Sequence, residues 1–117
     1  MGVFSDAQAQ LSELLGAAQP LDSKNGVRFR SGSKGLVTLY SRNIASGNLA
    51  ELAFEVTNFA AKAGQSEAFI TSLVERLRLE TGQLVIIDPQ HKWPRVGLSK
   101  KEHVDLVISA ISSILHK

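Results

Sequence analysis

A chain of 117 residues, 44% hydrophobic and 21% charged, is long enough to bury a core unaided and too apolar to be a disordered tail. Its lack of cysteine excludes disulfides, thiolate nucleophiles and sulfur-ligated zinc. The longest unbroken apolar run, Leu84 to Ile87, is far too short to span a bilayer, and the formal charge of +2 argues neither for nor against a polyanionic partner.

Ser5 and Gln8 have the spacing of a capping box, and Ala7, Leu11, Leu14, Leu15 and Ala18 recur at helical spacing. Together they predict an amphipathic helix over residues 5–18, closed by Pro20 and the polar run through Asn25-Gly26. Asp6 stands where a myristoylation signal needs Ser or Thr, and the acidic start does not resemble a secretory signal.

Residues 27–41 predict a hairpin turning at Gly32 to Lys34. In that register Val27, Phe29, Val37 and Leu39 share one face, and Arg28, Arg30, Thr38 and Tyr40 the other, with Leu36 the one misfit. A register slip of one residue would mix the two sets, because it turns a whole strand over.

Asn48 and Glu51 have capping spacing ahead of Leu49, Leu52, Ala53, Val56, Phe59, Ala60 and Ala63, which predicts a helix ending at Gly64. A second helix from about Ser66 turns Phe69, Ile70, Leu73, Val74 and Leu77 inward and stops at Gly82. So short a link predicts that the two pack as an antiparallel pair.

Leu84-Val85-Ile86-Ile87 suits a central strand covered on both faces. Arg95 to Leu98 suits a short edge strand, since Pro94 is tolerated only at an edge or a strand start. Ser99 and Glu102 form a capping box before Val104, Val107, Ile108, Ile111, Ile114 and Leu115. The expected fold is a single α+β domain over residues 1–117. It has a small, mostly antiparallel sheet of three to four strands and four helices, in the order α-β-β-α-α-β-(β)-α.

Charge is uneven along this order. Residues 24–42 carry Lys24, Arg28, Arg30, Lys34 and Arg42 with no acid, and residues 91–101 carry Lys92, Arg95, Lys100 and Lys101 with no acid. Residues 43–90 hold six acids against Lys62, Arg76 and Arg78. Arg28, Arg30, Lys34, Tyr40, Arg42, Lys92 and Arg95 are therefore the candidate anion or nucleic-acid contacts, with Tyr40 and Trp93 available to stack on bases. The same cations would also solvate a hairpin face and blunt an edge strand. Trp93, in a basic loop, has the chemistry of an interface anchor, or else covers one end of the sheet.

Evidence for catalysis is thin. Ser31-Gly32-Ser33-Lys34-Gly35 lacks the spacing, the residue after Lys and the following helix of a phosphate loop. No Gly-x-Ser-x-Gly elbow exists. Asp88, His91 and His103 are the one candidate catalytic or metal cluster, and Asp88-Pro89 is also an ordinary turn start. Glu51 and Glu55, one turn apart on the predicted helix, suit a solvated face.

These observations predict a small, non-enzymatic interaction or regulatory protein that binds a protein partner through the basic hairpin and the Trp93 loop. A nucleic-acid-binding domain using that surface is the alternative, and a hydrolase or nuclease around Asp88 and His91 the weaker one. No cofactor, metal or membrane is expected, and the cysteine-free chain reads as cytoplasmic. Phe54 and Leu106 are spare apolar positions that would either complete a homo-oligomer interface or pack inside.

Overall fold

A computed structural model describes residues 2–43, 46–85 and 93–115. The elements are α1 (Val3–Leu15), β1 (Gln19–Pro20), β2 (Gly26–Ser31), β3 (Lys34–Tyr40), β4 (Ala50–Phe54), α2 (Val56–Ala63), α3 (Glu67–Thr81), β5 (Arg95–Leu98) and α4 (Lys101–Leu115). The class is α+β with four helices, and the expected order holds with extra strands. The antiparallel sheet has five strands, ordered β1-β2-β3-β4-β5, rather than three to four. β1 is only two residues long and ends on Pro20, features that blunt an edge against further pairing.

The register sorts side chains onto two faces. Val27, Leu39, Leu52 and Val96 form one cross-strand row, Phe29, Val37 and Phe54 a second, and Ala50 and Leu98 a third. All four helices bury apolar residues in one cluster with these rows, including Leu11, Phe59, Ile70, Leu77, Val104 and Ile111. Phe54 belongs to this core, packed edge-to-face on Phe59 with ring centroids 5.3 Å apart, and so is not a spare interface position. Leu106 is half-buried and lines a shallow groove between α3 and α4 with Phe69, Leu73 and Ile114.

The hairpin keeps the expected faces and also explains the misfit. Val27↔Leu39, Arg28↔Thr38 and Phe29↔Val37 pair as the three-residue loop requires, but Arg30↔Gly35 and Ser31↔Lys34 are shifted by one. The turn is thus two residues, Gly32-Ser33, and Leu36 is the extra residue of a β-bulge. Leu36 and Val37, neighbours in sequence, are both buried, and the bulge leaves Leu36 outside the alternation of the flanking pairs.

Residues 50–54 are a strand, not the first turns of a helix. Their Leu, Ala and Glu favour helix locally, but this segment pairs on both sides, with β3 and with β5. α2 therefore begins only at Val56, and Gly64 and Gly82 close α2 and α3 in the left-handed conformation as expected, at φ 68° and 66°. α3 carries its expected cap, Ser66 accepting from the Phe69 N–H at 3.0 Å, but Phe69 itself is exposed rather than inward. α1 begins at Val3 with no side-chain cap, so Ser5 lies inside the helix.

β5 is the expected edge strand, and the Pro94 carbonyl at its start accepts the Phe54 N–H at 2.9 Å. Leu84 and Val85 are not in a strand, and Leu84 is 66% exposed; residues 86 and 87 lie outside the described residues. Among the described residues β4 is buried at every position and paired on both sides, by β3 and β5.

Candidate functional site

The second face of the sheet is polar. Gln19, Arg28, Thr38, Ala53 and Arg95 form one cross-strand row, and Gly26, Tyr40, Glu51 and Gly97 the next. No side chain there is purely apolar beyond Ala53, so hydrogen bonds and ion pairs must organise it.

Glu51 lies at the centre, 1% exposed. Its Oε1 accepts from Asn43 Nδ2 at 3.1 Å, and its Oε2 from Ser46 Oγ and Asn48 Nδ2, each at 2.8 Å. Arg95 Nη1 is 3.6 Å from Oε1, an ion pair rather than a hydrogen bond. Asn48, also 1% exposed, links this carboxylate to two other segments. Its Nδ2 donates to the Leu84 carbonyl at 2.7 Å, and its Oδ1 lies 3.3 Å from Ser99 Oγ, which reaches Gln83 Oε1 at 2.9 Å. Gly97 makes room for this, since a Cβ there would fall 2.4 Å from Asn48 Nδ2. The Asn48 and Glu51 side chains do meet, but to brace a loop against a strand instead of capping a helix.

Arg28 and Glu55 form a second unit. Arg28 Nε donates to Oε2 at 3.0 Å and Nη2 to Oε1 at 2.7 Å, the two-point geometry that suits guanidinium to carboxylate. Glu51 and Glu55 thus stand on and just after β4, each with an arginine.

Arg95 differs from both. Its side chain is 9% exposed, its guanidinium carbon sits 5.1 Å from the Tyr40 ring centroid, and Nε and Nη2 have no hydrogen-bond partner among the described residues. A buried donor left unpaired costs about 1–3 kcal/mol.

The candidate contacts therefore separate. Arg28 and Arg95 are engaged with carboxylates, Tyr40 lies half-buried under Arg95, and Lys92 is outside the described residues. Arg30, Lys34 and Arg42 are exposed, and among the described residues no acid lies within ion-pair distance of them. Arg30 and Lys34 are at the hairpin tip, just beyond the row Phe29–Val37–Phe54 that ends at Pro94. Trp93, 41% exposed, precedes Pro94 and so shares that end of the sheet, whereas Arg42 follows β3 at the opposite end.

Asp88 and His91 lie outside the described residues. His103 is buried and its Nδ1 accepts the Ser99 N–H at 3.0 Å, taking the part expected of Glu102 in the capping box. Burial, and then the charge of Lys100, hold its pKa below the ordinary histidine value. Among the described residues no cluster of three His, Asp or Glu could hold a metal ion, and no helix is long and apolar enough to cross a membrane.

Sequence reasoning missed the polar network because its members come from three stretches far apart in sequence, 43–51, 83–84 and 95–99. The local signals were present: an acid inside an apolar stretch at Glu51, and an asparagine three residues before it. No protein-family model, curated protein or solved structure matches this chain.

Proposed function

We propose that this chain is a non-enzymatic interaction domain whose protein partner docks at the sheet end shared by Trp93 and the β2–β3 hairpin tip. The observation that carries this reading is the 41% exposure of Trp93 at the same end of the sheet as the exposed cations Arg30 and Lys34, which among the described residues have no acid within ion-pair distance. An exposed large aromatic and an arginine are residue types enriched in binding hot spots. The uncompensated positive charge calls for an acidic surface on the partner. Arg28 is left out of this surface because Glu55 already engages it, and Arg95 because its side chain is only 9% exposed.

Pull-down by the tagged chain, compared with Trp93→Ala and with Arg30→Ala/Lys34→Ala, tests the proposal. Both variants are expected to lose the captured partner while melting within a few degrees of the parent chain. A sharp fall in the melting temperature of Trp93→Ala would make that residue part of the core and end the anchor reading.

Nucleic-acid binding is the second reading, favoured by the exposed cations Arg30, Lys34 and Arg42, none of which has an acid within ion-pair distance among the described residues. It predicts affinity for DNA or RNA that falls steeply with salt and weakens in Arg30→Ala and Arg42→Ala. Absence of binding at low salt rules it out.

A further inference from the structure

We propose that the Nε/Nη2 edge of Arg95 is a binding site for the carboxylate group of a ligand, independent of the docking surface above. Arg28 shows on the same sheet face what such an edge takes. Its Nε and Nη2, whose N–H bonds run parallel, each donate to one oxygen of Glu55. Arg95 occupies the same cross-strand row, Arg28–Thr38–Ala53–Arg95, and the corresponding two donors have no partner among the described residues.

Glu51 does not fill this role. It approaches Arg95 from Nη1, outside hydrogen-bond distance, and takes three neutral donors from Asn43, Ser46 and Asn48. Its charge is thus stabilised largely without Arg95. The Arg95 guanidinium carbon lies over the Tyr40 ring, 5.1 Å from its centroid, which supports the cation. With the side chain only 9% exposed, the desolvation of the two donors has already been met by folding. Because both donors are buried, binding requires this face to open locally, and a carboxylate then gains charge-assisted bonds in a low-dielectric setting.

The test uses the whole chain labelled with ¹⁵N-arginine, its Arg95 Nε–Hε signal assigned through backbone connectivities. Sodium acetate, sodium phosphate and sodium chloride are titrated at matched ionic strength. Acetate is expected to shift the Arg95 Hε signal downfield saturably and to slow its solvent exchange about tenfold, leaving Arg28 unchanged. Absence of a saturable shift, or an equal shift with chloride, overturns the site; a response to phosphate alone overturns its assignment to carboxylates. Arg95→Lys retains the charge but not the paired donors, so the acetate-dependent rise in melting temperature should vanish in it. An equal rise in both proteins also overturns the proposal. If Arg95→Lys does not fold, the signals of the unmodified chain decide alone.

Discussion

Arg28 and Glu55 close a two-point ion pair directly over Gly35, where a Cβ would lie 2.0 Å from Glu55 Oε2 and 2.2 Å from Arg28 Nη2. The glycine is required by the space the pair occupies, not by its backbone angles. Gly35→Ala must push these two side-chain ends aside, and the expected loss is that of a partly exposed ion pair, about 1 kcal/mol or less. Urea denaturation checks it. Glu55→Gln in the Gly35→Ala background should add little further loss, because the pair is already broken there.

Asn48 is the joint of the polar face. Asn48→Ala removes one donor from the buried Glu51 carboxylate and the partner of the Leu84 carbonyl together. The expected loss is about 2–4 kcal/mol, the range for leaving buried polar groups unpaired. Asn48→Asp should be worse, since it sets a second carboxylate against Glu51. An unfolding midpoint within error of the parent chain would show that the network contributes nothing.

His103 makes stability depend on pH with a definite sign. Its folded pKa is depressed by burial and by Lys100, so the unfolded chain binds the proton more tightly. The contribution of neutral His103 is complete above the unfolded value of about 6.5 and is lost as pH falls through the window down to the folded pKa. The unfolding free energy should therefore drop between pH 7 and pH 5, and His103→Gln should flatten that drop. An unchanged slope in the variant would assign the effect to other groups.

Leucines in this chain should respond very differently to truncation. Leu36, 2% exposed in the bulge, should cost about 2–5 kcal/mol as Leu36→Ala. Leu79 and Leu84, 70% and 66% exposed, should change stability by about 0.5 kcal/mol or less as Leu→Ser. Parallel thermal melts of the three variants check the contrast.

Much of the fold was legible because it depends on short-range pattern. The inner faces of α4 and most of α3, the glycine ends at Gly64 and Gly82, and the hairpin set Val27, Phe29, Val37 and Leu39 all follow from periodicity and turn chemistry. Leu36 was visible as a misfit, though not as a bulge, because the compensating one-residue shift lies in the pairing with β2.

The tertiary structure alone decided the rest. Residues 50–54 are good helix formers by local preference, and a strand buried on both faces loses the alternation that would identify it. Only the paired edges of β3 and β5 turn that segment into sheet, because each supplies backbone partners that a helix would not use. The polar face has the same origin. Asn43, Glu51, Gln83, Arg95 and Ser99 have no sequence relation to one another, and their bonds exist only once the strand register brings them together. The amino-acid sequence by itself determined a cysteine-free α+β chain with uneven positive charge. The folded chain decided that Arg28 closes an ion pair with Glu55, and that Arg95 is held buried with two donors that have no partner among the described residues.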